Sequence, residues 1–196
     1  MTARALVQRC EGLKVNILFN FGSPNSGMYA EKILGTGFWW DVERTIMHNI
    51  LSEFIIMGLD WGAVKEYYRS FWYSEISPES SGFLNMINNK GPVKVQAYKE
   101  RLYNVKYFVM WMWDDDTMCL PKETSWFWDF DRFKRLIPLK ETEMWKEDWL
   151  GLKAMYEEDR LIFYHGPGGH MDLKLYMMTD YLGPFLNGEP HLPSQY

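Results

Sequence analysis

Residues Tyr107 to Pro121 read YFVMWMWDDDTMCLP, and this stretch decides the fold. Seven apolar residues, Tyr107 to Trp113, run without interruption and then meet three carboxylates, Asp114, Asp115 and Asp116. A run this short cannot cross a membrane as a helix. Continuous rather than alternating apolarity, rich in aromatics, predicts a strand buried on both faces, as in a parallel sheet covered by helices. Carboxylates at the end of a parallel strand fall on the edge where open α/β folds build their sites. By itself an Asp run also serves as a solvated turn that ends a strand.

The flanking chain supports an α/β reading. Thr2 to Cys10 reads as a short helix, with Ala5, Leu6 and Arg9 at helical spacing and Gly12 as its stop. Val15 to Phe21 is β-branched and aromatic, a strand, and GSPNSG (22–27) follows as a loop. A helix followed by a buried-looking strand suggests a chain that begins inside a fold, because a partner strand should precede the helix of a βαβ unit. Residues 35–91 differ in character. Asp41 to Met57 sets Val42, Ile46, Ile50, Phe54 and Met57 on one helical face. Trp61 to Tyr73 crowds Tyr67, Tyr68, Phe71, Trp72 and Tyr73 together, Ser77 to Gly82 is a turn cluster, and Phe83 to Ile87 is a short apolar piece. The 35–91 stretch reads as a helical insertion between sheet strands. It is either a packed cap or the wall of an apolar groove.

Val93 to Asn104 reads as the helix before the organising strand. Further on, Trp149, Leu152 and Met155 mark a helix by their steps of three. Leu161 to Phe163 is a short apolar strand. A glycine-rich loop follows, and His170 stands at the start of a final helix, Asp172 to Leu182, whose Leu173, Tyr176, Met177 and Tyr181 face the core. The order is strand–Asp, helix, strand–His, helix. That is the order of acid and base in the rear half of an α/β-hydrolase, whose triad runs Ser, then Asp or Glu, then His. The spacing from Asp116 to Pro121 suits the acid loop better than Asp114 or Asp115 does. A lone loop histidine is otherwise a surface or core residue.

Composition narrows the classes. The 196 residues fit one domain, with 47% hydrophobic and 24% charged residues. The 10 Trp and 13 Met suit a large core or an apolar cleft. A net charge of −5 with no basic run argues against nucleic acid. Two cysteines, Cys10 and Cys119, define neither a disulfide framework nor a zinc site, and no cofactor or metal is expected. The N-terminus lacks the apolar core of a signal peptide, which at face value reads as cytosolic.

The residues resemble the palmitoyl-protein thioesterases, lysosomal α/β-hydrolases. The likeness is strongest in YKERLYNVKYFVMWMWDDDTMCLP (98–121), SWFWDF (125–130), IPLKETEMWKEDWLGLK (137–153), GGHMDL (168–173) and YLGPFL (181–186). ARALVQRC resembles the helix after the nucleophile in that family. The resemblance implies Asp116 as triad acid, His170 as triad base and the insertion as an acyl-binding cap, with Tyr67, Tyr68, Phe71 and Trp72 as acyl-contacting residues. It implies S-palmitoylated proteins and long-chain acyl thioesters as substrates, a monomer, and a lysosomal location. Cys10 resembles a family cysteine whose disulfide partner would lie outside these residues. The departure is the nucleophile: no Gly-x-Ser-x-Gly occurs anywhere in the sequence. The expectation is an α/β-hydrolase fold truncated at the N-terminus, or a remnant that binds acyl chains without chemistry. Ser23, before Pro24, is a weak substitute nucleophile.

Overall fold

The computed structural model describes residues 1–29, 66–69, 82–133, 135–190 and 192–193. Most of the 35–91 insertion, including its expected helix 41–57, therefore lies outside the described residues. In chain order the elements begin with helix α1 (Thr2–Arg9) and strand β1 (Ile17–Phe21). The two-residue strands β2 (Met28–Tyr29) and β3 (Tyr68–Arg69) pair in parallel. Helices α2 (Gly82–Ile87) and α3 (Gln96–Tyr103) lead to strand β4 (Tyr107–Trp113). A 3₁₀ turn, Lys122–Trp126, precedes a small hairpin of β5 (Asp129–Phe130) and β6 (Leu136–Ile137). Helices α4 (Glu143–Lys146) and α5 (Leu152–Glu157) precede strand β7 (Leu161–Gly166). A π-helical stretch, Met177–Leu182, runs into helix α6 (Gly183–Leu186).

The main sheet has the order β1–β4–β7, with both pairings parallel. β4 lies in the middle, as its unbroken apolarity requires, and covers the expected 107–113. Successive side chains alternate between the two faces. Phe108, Met110 and Met112 join Leu18, Leu102, Leu150, Leu152 and Met155 in one core, while Val109, Trp111 and Trp113 join Ile162, Tyr164, Met177 and Phe185 in the other. Phe21 pairs with Trp111 and Trp113 with Gly166, so all three strands finish at one edge.

Several expected elements shift for physical reasons. β1 begins at Ile17 rather than Val15, where pairing with Tyr107 begins. The helix expected from Val93 starts at Gln96. Asn89 accepts the Val95 N–H, and Val93 is left 82% exposed. Helix α1 buries Arg4, Ala5, Val7 and Gln8, whereas Leu6 and Arg9 are exposed. The face is turned because Arg4 and Gln8 both donate to the carbonyl of Ile87, at 3.2 and 2.7 Å. Arg4 also reaches the Asn25 carbonyl and lies over the Phe127 ring. Burial pushes its guanidinium down to about 9, which still leaves it charged at neutral pH. The helix expected at Trp149 starts at Leu152, and the Trp149 indole donates to the Asn88 carbonyl instead.

The C-terminal part departs most. β7 runs to Gly166, three residues beyond Phe163, because β4 supplies partners as far as Trp113. A Cβ on Gly166 would lie 2.7 Å from the Trp111 ring, so glycine lets the backbone pass. His170 does not begin a helix. It sits in a turn, followed by Met171 at φ 61, and the chain becomes helical only from Leu175. Leu173 and Tyr176 consequently face solvent rather than core, while Met177 is buried and Tyr181 packs on Trp111 and Tyr164.

Candidate active site

Parallel pairing sends three loops off the same sheet edge: Gly22–Gly27 after β1, Asp114–Pro121 after β4, and Pro167–Lys174 after β7. The third of these brings His170 back over the second. Nδ1 of His170 lies 2.8 Å from Oδ2 of Asp116. The other carboxylate oxygen accepts the N–H of Met118 at 2.9 Å and of Cys119 at 2.8 Å. The Asp116 side chain is 1% exposed and that of His170 23%. With both oxygens engaged, the carboxylate cannot turn away from the ring. A carboxylate only accepts, so the shared hydrogen sits on Nδ1 and leaves the Nε2 lone pair available.

Aromatic packing backs the imidazole. The Trp113 ring meets it edge-on at 6.1 Å, and Phe21 packs behind Trp113. Gly22 closes the remaining side. A Cβ there would stand 2.5 Å from the Trp113 ring and 3.5 Å from Cε1 of His170, so any side chain would displace the tryptophan against the histidine. The Gly22 loop is held from below. Asn25 donates to the Ser125 carbonyl, and its own carbonyl receives Arg4 and Asn88. Ser23 directly follows Gly22 on this edge.

The other two aspartates have different partners. Asp114 faces Nδ1 of His165 at 3.0 and 3.3 Å, and Asp115 accepts the Gly168 N–H at 3.2 Å. His165 lies within β7 rather than beyond it, and its ring packs on Trp126. Its contact with Asp114 was not legible in the sequence, because it depends on how far β7 extends. Cys119 is buried within the Asp114–Pro121 loop, its Sγ 3.4 Å from the Thr124 hydroxyl, and burial pushes the thiol up to about 11. Cys10 is exposed and free among the described residues.

Of the expected acyl-contacting residues, Tyr67 packs edge-on against Phe83. Tyr68 is described only by its backbone, in β3. Phe71 and Trp72 lie outside the described residues. A cavity of ≈ 680 Å³ between the β5–β6 hairpin and α4 has Lys90, Asp129, Arg132, Arg135 and Glu143 in its wall, which does not suit an acyl chain. The described residues hold no cluster of three or more His, Cys, Asp or Glu side chains fit for a metal ion. No helix among them is long and apolar enough to cross a membrane.

A parallel sheet with helical cover, carrying at its strand ends a His–Asp pair whose carboxylate is buried, has the layout of an α/β-hydrolase. Within that class the chain belongs to the palmitoyl protein thioesterase family, whose profile matches residues 1–170. It is 29% identical to palmitoyl-protein thioesterase 3 of Dictyostelium discoideum, over 94% of this chain and 62% of the relative. It is 28% identical to palmitoyl-protein thioesterase 1 of Caenorhabditis elegans, over 87% and 57%. A lysosomal thioesterase PPT2 homolog of Drosophila melanogaster is 24% identical, over 87% and 58%. The chain thus spans about three fifths of the length of these relatives.

Proposed function

We propose that this chain carries the base and the orienting acid of a serine thioesterase that removes long acyl chains from S-palmitoylated protein cysteines. His170 is the base and Asp116 the acid. The observation that supports this most is the 2.8 Å Nδ1–Oδ2 contact on a carboxylate whose other oxygen holds two backbone N–H groups. In the reaction a serine hydroxyl attacks the thioester carbonyl while Nε2 of His170 takes its proton. The tetrahedral adduct collapses, and the leaving cysteine sulfur receives that proton. Water then attacks the acyl-serine, with His170 again as base, and fatty acid is released. Asp116 holds the ring in the required tautomer and stabilises it when charged.

The sequence has no Gly-x-Ser-x-Gly, so the nucleophile of this reaction is not assigned to any of these 196 residues. The insertion at 35–91, with Tyr67, Tyr68, Phe71 and Trp72, takes the acyl chain. The chain acts as a monomer and works in the lysosome, in keeping with the name of the Drosophila relative. No cofactor takes part in these steps.

The test is hydrolysis of a palmitoyl thioester. The chain alone is expected to show no turnover, since loss of the nucleophile removes a factor of about a million in triad enzymes. Joined to the part of the Dictyostelium relative that it does not match, it is expected to turn over, and His170→Ala to abolish the activity. Turnover by the chain alone would place the nucleophile within it, at Ser23 first. A folded but inactive chimera would favour the second reading, an acyl-binding remnant without chemistry, for which the missing elbow motif is the supporting observation.

A further inference from the structure

We infer that Asp115 is a positioning residue for His170, acting through Gly168; the inference rests on His170 having the role proposed above. The geometry is a ladder that outlasts its strands. Trp113 pairs with Gly166 as the last register position of β4 and β7. Beyond it the Asp114 N–H donates to the Gly166 carbonyl at 2.9 Å. One step further, Asp115 grips Gly168 twice: its N–H donates to the Gly168 carbonyl at 3.1 Å, and its carboxylate accepts the Gly168 N–H at 3.2 Å. The next step is the Asp116 carboxylate on His170 itself. The connection passes from backbone alone, to backbone and side chain, to side chain alone. Asp115 is the middle rung, two residues short of the imidazole.

Gly168 is built for this grip. Its φ is +114, a conformation that favours glycine, and a Cβ there would lie 2.8 Å from Oδ2 of Asp172. The backbone around it has no regular structure to hold it, because β7 ends at Gly166 and no helix begins before Met171. Without the Asp115 carboxylate, Pro167 to Gly169 keep one bond to the Asp114–Pro121 loop, from the Asp115 N–H to the Gly168 carbonyl, and His170 keeps only its side-chain contact with Asp116. The Asp114–His165 contact cannot substitute, because His165 lies upstream of the glycines, inside β7.

The test needs no catalysis. In the 196-residue chain, NMR gives the exchange rate of the Gly168 amide and the downfield Nδ1 proton of His170, the latter assigned by its loss in His170→Ala. Asp115→Ala is expected to speed Gly168 exchange about tenfold, the low end for a hydrogen bond to a charged acceptor, and to broaden the His170 proton. Asp115→Asn, whose side-chain carbonyl accepts the same N–H, is expected to restore both, and Asp114→Ala to leave both unchanged. Asp115→Ser, polar but too short to reach, replaces the alanine variant if that one does not fold. Wild-type values in the alanine variant, or in the serine variant that replaces it, or an Asn variant as disturbed as either, would overturn the role. Loss of thioesterase function in the chimera with these NMR effects intact would remove the proposed activity and leave the clasp standing.

Discussion

Two histidine–aspartate pairs link the same two chain segments, β7 with its following loop and the loop after β4; the histidines are five residues apart and the aspartates two. Both use Nδ1 and a carboxylate oxygen, at 2.8 Å for His170–Asp116 and 3.0 Å for His165–Asp114. Distance therefore does not separate them; burial does. The side chains of the first pair are 23% and 1% exposed, those of the second 61% and 38%. Asp116 spends its second oxygen on two backbone donors, whereas both oxygens of Asp114 crowd on one imidazole nitrogen. Water competes for every contact of the outer pair and for almost none of the inner one. The inner pair is fixed in one geometry, and the outer pair is one of several arrangements that solvent permits.

The comparison breaks most sharply in turnover. In the chimera that carries a nucleophile, His170→Ala and Asp116→Asn should each cut kcat by about 10⁴ or more, the size seen when a triad loses its base or its tautomer-holding acid. His165→Ala and Asp114→Asn should stay within a few-fold. Steady-state rates at equal folded concentration decide this. Equal losses at the two histidines would mean that burial is the wrong criterion.

Stability should divide the pairs in the same direction. Asp116→Ala strands the N–H groups of Met118 and Cys119 along with the His170 ring, and should cost about 3 kcal/mol in denaturant unfolding. Asp114→Ala leaves groups that water can satisfy and should cost under about 1 kcal/mol.

Cys119 offers a reading of the same gradient by pH. Its thiol is raised from an ordinary 9.0 to about 11 by burial. The folded state therefore favours the neutral thiol, and the unfolded chain ionises first. Stability from this group is complete below about pH 9 and is lost as pH climbs towards 11, by about 2 to 3 kcal/mol in all. Cys119→Ala should flatten that part of the pH curve. A thiol reagent should label exposed Cys10 at once and Cys119 only on opening. Because the Cys119 N–H donates to Asp116, Asp116→Ala should speed that labelling and Asp114→Ala should not.

What the sequence could and could not tell follows the same physics. β4 was legible to the residue, because burial on both faces leaves an unbroken apolar run. The meeting of the Asp116 and His170 loops was legible because parallel strands in that order must finish at one edge. The end of β7 was not, since Tyr164, His165 and Gly166 join the sheet only because Trp111, Met112 and Trp113 offer partners. That hid the outer pair. Arg4 and Gln8 look like an exposed helix face in sequence. What buries them is the Ile87 carbonyl, 83 and 79 residues away, which no local pattern announces. The two-residue strands of the β5–β6 hairpin are too short to leave a period.

The smallest expected effect is the most searching. If the outer pair is only a surface contact, the energy that couples His165 to Asp114 should be small, and a double-mutant cycle isolates it from whatever each side chain does alone. The cycle of His165→Ala, Asp114→Ala and the double variant should give a coupling below about 0.5 kcal/mol, the range of exposed ion pairs. High salt should erase most of it, because charges open to water are screened within about 3 Å at 1 M ionic strength. The matching cycle on His170 and Asp116 should give a larger coupling that salt barely touches, since the carboxylate there is closed to solvent. The Trp126 ring beside His165 is the complication: losing the imidazole also uncovers that contact. It enters the single and the double variant equally and cancels in the cycle. A coupling above about 1 kcal/mol that persists in salt would make the outer pair a structural clamp in its own right. The base loop would then hang on His165 as well as on Asp115.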